Sequence, residues 1–250
     1  MKKGIIFIIG IIIVATLMIS LVYVITGVKE GTHGIIMDAN KANATSDKFI
    51  DVPVICQYPE LPTGCESVAA TMVLQYYNEN ITAQNFASEW LECSDDFYSL
   101  NGREYGPDPN KAFAGNPFTK NSYGCFATPI VNAINRNSTN CTAQKLTGKS
   151  LEELCVEYID RDAPVLIWAT MSMKESYEGN SWYLEDGSLF TWIAGEHCLV
   201  LVGYSDDYYF LNDPMSGSTV AYRKNIVEKR FAELGNQAVY ISDSSVTIQE

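Results

Sequence analysis

The sequence predicts an α+β domain, N-terminal helices packed on a C-terminal antiparallel sheet, preceded by one N-terminal transmembrane helix. Three observations predict it. Gly4 to Gly27 runs without a charged side chain behind Lys2 and Lys3. From Cys65 to Asp160 the apolar residues recur with helical spacing, and from Pro164 to Ile241 they form short β-type runs separated by polar turns.

The apolar run at the start is long enough to cross a bilayer, which takes ~20 helical residues. It exceeds the h-region of about 7–15 residues found in a cleaved signal peptide. Residues 1–27 are therefore expected to be a single-pass signal anchor in the cell membrane. Lys2 and Lys3 stay cytoplasmic by the positive-inside rule, which places the rest on the extracytoplasmic side. Cleavage of the segment would instead give a secreted domain. Residues 28–48 are rich in Gly, Asn, Ala, Thr and Asp and read as a flexible linker. His33 stands alone there and receives no role. Residues 49–243 have the size of one ordinary domain, and 244–250 form a tail.

Within the domain, apolar residues at 65, 68, 69, 72, 73, 76 and 77 predict a helix with one broad buried face. Thr82 is placed to cap a second helix burying Phe86, Trp90 and Leu91. Thr128 and Pro129 read as N-cap and first residue of a third, with Ile130, Val131 and Ile134 inward. Ser150-Leu151-Glu152-Glu153 is a capping box that opens a fourth, running to about Asp160. Strands are expected over 164–171, 198–204, 208–212, 218–223 and 237–241, with a short helix near 226–234. Between Cys93 and Thr128 lies a long stretch of Gly, Pro, Asn and aromatics. Its aromatics offer area to bury, so it is expected to form a wall of a binding cleft. Trp182 to Trp192 is the second candidate wall.

Without Lys2 and Lys3 the chain carries 15 basic against 30 acidic residues. Such a surface repels phosphate backbones, so nucleic acid is not expected as a partner. Seven cysteines leave six besides Cys65, enough for up to three disulfides outside the cell, or a set of buried free thiols. No CxxC or histidine-containing ligand spacing appears, and no metal or other cofactor is expected.

The candidate chemistry rests on Cys65, His197, Asp213 and Gln57. Pro62-Thr63-Gly64 sets Cys65 at a turn entering a helix, where unpaired N–H groups and the macrodipole favour a thiolate. A hairpin centred on Asp206 sets Asp213 opposite Leu199, so His197 and Asp213 become diagonal neighbours on one sheet face. Gln57, upstream of the cysteine, is placed to donate an amide N–H to an oxyanion beside the Cys65 N–H.

Val52-Pro53-Val54-Ile55-Cys56-Gln57, Leu61 to Ala69, His197 to Tyr204 and Asn212-Asp213-Pro214 together resemble the peptidase-like relatives of cysteine-peptidase family thirty-nine. The resemblance spans roughly 49 to 243, and extends to Gly106 to Asn110, Gly115-Asn116-Pro117 and Tyr123-Gly124-Cys125. Best known in that family are papain-clan, bacteriocin-processing peptidases that cut after double-glycine leaders. The closer likeness is to the stand-alone, often membrane-anchored bacterial branch. Glu66 stands where transporter-linked members commonly carry glycine.

This resemblance implies a papain-like cysteine peptidase fold, with Cys65 as nucleophile, His197 as base then acid, Asp213 as its orienter and Gln57 as oxyanion donor. The expected activity is extracytoplasmic hydrolysis of a peptide or amide bond, with a peptide or protein substrate and a monomeric chain. Two alternatives share the residues: acyl transfer as in transglutaminase-like proteins, and a non-catalytic surface binding module.

Overall fold

The computed structural model describes residues 34–37 and 47–244. The expected membrane span, most of the linker and the tail after Ser244 lie outside them. Among the described residues no helix is long and apolar enough to cross a membrane.

Two short strands come first, β1 (Ile35–Met37) and β2 (Lys48–Phe49). The first falls in the segment read as a linker and the second spans its end, so the linker is tethered at two points. β1 pairs with a strand some 180 residues on, Ile35 opposite Ala221. Helix α1 (Cys65–Tyr76) follows. Its expected single buried face is a correction: Cys65 through Leu74 are all enclosed, Glu66, Ser67 and Thr71 included. The reason is its position, packed against the central sheet and two further helices at once.

Thr82 caps α2 (Ala83–Asn85), accepting from the Asn85 N–H at 3.2 Å, and a π-helical turn over Phe86–Trp90 extends it. The stretch of Gly, Pro, Asn and aromatics after Cys93 holds four strands for which no expectation was set, β3 (Cys93–Ser94), β4 (Tyr98–Leu100), β5 (Arg103–Tyr105) and β6 (Phe113–Ala114). Helix α3 (Ala127–Asn137) starts two residues before the predicted first residue Pro129. Phe126, not Thr128, is its N-cap, and Gln237 Oε1, distant in sequence, accepts from the Ala127 N–H at 3.2 Å and so satisfies a first-turn donor.

β7 (Cys141–Lys145) precedes α4 (Leu151–Glu157), where Ser150 and Glu153 form the capping box. Then come β8 (Val165–Thr170), β9 (Tyr177–Tyr183), β10 (Leu189–Ala194), β11 (Glu196–Tyr204), β12 (Tyr208–Asp213) and β13 (Ser218–Arg223). Helix α5 (Lys224–Glu233) and β14 (Ala238–Asp243) end the described chain.

The central sheet has the antiparallel order β1-β13-β12-β11-β8-β14-β7, with β2 joining β11 beyond the end of β8. There Gly203 is needed: a Cβ would lie 2.4 Å from the Lys48 carbonyl oxygen. β8 is buried along its whole length and β11 up to Gly203, so both read as continuous apolar runs rather than alternating ones.

The two segments expected as cleft walls join each other. β10, β9, β5 and β4 form a second sheet, closed by a parallel pairing of Tyr105 with Tyr183. Phe97, Tyr123, Trp182, Trp192, Phe126 and Phe190 stack into one aromatic cluster behind it. Ring contacts add about 0.5–1.5 kcal/mol each beyond the area they bury, which draws the separate segments together.

Candidate active site

Cys65 is the first residue of α1, behind an N-cap at Gly64 that offers no side chain. A Cβ at Gly64 would sit 3.0 Å from Leu61 Cβ and 3.2 Å from Pro117 Cβ, so close approach explains the glycine. Thr63 pins the turn by donating from Oγ1 to the Thr119 carbonyl at 2.9 Å. The thiol meets β11 directly, with Cys65 Sγ accepting from the Cys198 N–H at 3.4 Å.

His197, the residue before, is 2 % exposed and pairs through Nε2 with Asp213 Oδ1 at 2.7 Å. The register behind this pair, Val200 opposite Asn212, is that of a hairpin centred on Asp206. A bulge at Val202 shifts only the distal end. Asp213 also accepts from the Met215 N–H at 2.8 Å. Burial acts to raise its carboxyl, but the His197 hydrogen bond and charge, with the Met215 and Ser216 N–H groups, hold it below the ordinary value.

The neighbours of Asp213 anchor the rest of the site. Asn212 Nδ2 donates to the Val52 carbonyl at 3.0 Å, and the Pro214 carbonyl accepts from the Gln57 N–H at 2.8 Å. Gln57 is thus fastened next to Asp213. Its Nε2 gives one hydrogen to the Pro62 carbonyl at 2.9 Å, which leaves one donor. Its Oε1 is buried without a partner. A cavity of about 280 Å³ opens at Gln57, Leu61 and Val68, but Cys65, His197 and Asp213 do not line it. It touches the candidate chemistry only at Gln57.

The expectation that the helix start favours a thiolate is overturned in the structure as it stands. Burial pushes the Cys65 thiol well above its ordinary value, and Glu66, Glu196 and Cys198 add to the rise. Only the Cys198 N–H opposes them. All seven cysteines are unbridged, so none of the disulfides allowed by the count is present.

Sequence reasoning missed the groups that do this. Glu66 and Glu196 are both buried, and Cys65 Sγ donates to Glu66 Oε2 at 3.3 Å. The Cys125 N–H donates to Glu66 Oε1 at 2.6 Å, while Trp168 Nε1 holds the Cys125 carbonyl at 2.9 Å. Cys65 Sγ and a carboxylate oxygen from each of Glu66 and Glu196 all lie within 4.8 Å of one another. Burial raises Glu66 to about 7, against the pull of the Cys125 N–H, and burial with the Glu66 charge raises Glu196 further. Two signals were available: a glutamate inside an apolar helix, and another just before a strand of continuous apolar residues.

A cysteine at a helix start, packed against a sheet that carries histidine and acid, is the arrangement of papain-like peptidases. The chain belongs to the Peptidase_C39 like family, whose model matches residues 49–239. It is 27% identical over 199 residues to the uncharacterised protein YvpB of Bacillus subtilis (strain 168), covering 78% of this chain and 76% of that one. The crystal structure of a protein described as a C39-like peptidase from Bacillus anthracis superposes with a TM-score of 0.69 at 30% identity, over 78% of this chain and 98% of that one. A double glycine motif protease from an AMS/PCAT transporter, solved with its leader peptide, matches at 16% identity and a TM-score of 0.47 over 80% of this chain and 97% of that one.

Proposed function

We propose that this chain is a membrane-anchored, extracytoplasmic cysteine peptidase that hydrolyses peptide or amide bonds through Cys65, His197 and Asp213. The observation that carries the reading is the buried 2.7 Å pair of His197 and Asp213, one residue from the backbone N–H that meets Cys65 Sγ. Asp213 takes Nε2 and so leaves Nδ1 to exchange protons with the thiol. In the reaction, the Cys65 proton moves to Nδ1 and the sulfur attacks the substrate carbonyl. The Cys65 N–H and the remaining Gln57 N–H hold the developing oxyanion. His197 then returns the proton to the leaving amine, and a water, activated by the same imidazole, releases the acid product and restores the thiol. The aromatic sheet of β4, β5, β9 and β10 supplies apolar surface for substrate side chains.

The test is labelling of full-length protein with iodoacetamide, residue by residue, beside Cys65→Ala and His197→Ala. Cys65 should label fastest, and His197→Ala should slow it. Labelling indifferent to His197 would overturn the reading. Incubation with a peptide library, with and without a primary amine, should yield cleaved rather than amine-capped products. Amine-capped products would instead mean acyl transfer.

A further inference from the structure

Glu66 and Glu196 are buried acids that the mechanism above does not use, and they pack against its nucleophile. Neither forms a salt bridge among the described residues. Glu66 sits on α1 next to Cys65. Around it stand Glu196, His197 and Cys198 from β11, Cys125 from the loop entering α3, and Cys93 from β3. Asp213 reaches the group only through His197.

The loop is built to close on these acids. A Cβ at Gly124 would fall 2.5 Å from Glu66 Oε1 and 3.2 Å from Glu196 Oε2, so only glycine lets the backbone pass over both carboxyls. Beyond Gly124, the Cys125 N–H fixes one oxygen of Glu66, which turns the other toward Cys65 Sγ. Two buried carboxyls this close cannot both carry charge, so at least one holds a proton.

We propose that Glu66 is a positioning residue that gates the nucleophile: as a carboxylate it holds the proton on Cys65 Sγ, and as a carboxylic acid it releases the thiol to His197. The inference rests on the reading of Cys65 as nucleophile. No atom is consumed in the gate. In the closed form the S–H bond stays intact and points to Glu66 Oε2. In the open form Glu66 carries its own proton, can donate it in a hydrogen bond to the sulfur, and the Cys65 proton passes to His197 Nδ1. Glu196 stays protonated beside it and confines the pair to a single negative charge. The sign of the pH response follows. Glu66 is pushed up to about 7, so the gate is open below neutrality and closes as the pH rises through that value.

The test is the rate of Cys65 labelling by iodoacetamide from pH 5.5 to 9, on full-length protein with a chelator present, together with peptide cleavage over the same range. Wild type should lose reactivity, relative to an ordinary thiol, as pH passes about 7. Glu66→Gln should abolish that loss and label roughly tenfold faster than wild type at pH 8.5, the effect of about one unit in the thiol. The two should agree at pH 6. Glu196→Gln, which imitates the protonated acid, should keep the wild-type transition. Glu66→Asp, whose shorter side chain withdraws the carboxyl from sulfur, should fall between the two if Glu66→Gln does not fold. A Glu66→Gln profile parallel to wild type, or a Glu66→Asp profile that superposes on it, would overturn the gate. If His197→Ala labels Cys65 as fast as wild type, the nucleophile reading itself has failed, which is a different result.

Discussion

Two buried acid environments meet β11, and they hold their carboxyls in opposite states. Asp213 receives an imidazole and backbone N–H groups, and stays ionised in spite of its burial. Glu66 receives two backbone N–H groups, its own and that of Cys125, and a thiol, with a second carboxyl as neighbour, and is pushed up to about 7. Both sites are closed to solvent. Burial raises either carboxyl, and it wins at Glu66, whereas at Asp213 the directly bonded imidazole and its charge outweigh it. A peptidase site needs the first kind to orient its histidine. The second kind restrains the sulfur.

The largest effect should come from breaking the chemistry both acids serve. Cys65→Ala or His197→Ala should lower kcat/KM by at least about 10³-fold, with the circular dichroism spectrum unchanged. Asp213→Asn should cost about 10–100-fold through a mis-set tautomer, a loss read in kcat rather than KM.

Stability against pH separates the two environments next. The folded Glu66 binds its proton more tightly than the unfolded one, so its contribution is fully present below the ordinary glutamate value. It is lost as pH rises through about 7. Asp213 works the other way: its contribution is present above the ordinary aspartate value and lost as pH falls below it. Urea denaturation should therefore show Glu66→Gln more stable than wild type at pH 8, by at most on the order of 3 kcal/mol, with the gain gone at pH 4.5. Asp213→Asn should be less stable than wild type at pH 7, with the gap closing toward pH 3.

Gly124→Ala should cost roughly 1–3 kcal/mol at any pH, because the added methyl meets oxygen atoms that cannot retreat. The smallest effect belongs to a carboxylate in water. Glu92 pairs with Arg136 at 3.1 Å on the surface, and Glu92→Gln should shift stability by less than about 1 kcal/mol. A larger shift there would mean that burial is not what distinguishes the two inner sites.

Much of this fold was legible because its signals are local. The capping box at Ser150, the cap at Thr82 and the parity of His197 and Asp213 each depend on residues close in sequence or joined by one hairpin. What escaped depends on distant partners. β1 is a strand only because Ala221 and its neighbours lie open at a sheet edge. β4 and β5 join β9 through one parallel pairing and a cluster of rings. The same holds in the site. Cys65, His197 and Asp213 stand out by residue type and order, whereas Glu66 passes for a solvated helix residue until Gly124 and Cys125 close over it.

The pairing of β1 has a mechanical consequence. Among the described residues, tension from the N-terminal side meets three edge rungs on β13 first. Such a short ladder yields before the longer ones inside the sheet, and the next pairing among the described residues is that of Lys48 and Phe49 with β11. β1 is then a fuse: a tug on the N-terminal end spends itself at the sheet's edge and leaves Cys65, His197 and Asp213 in register.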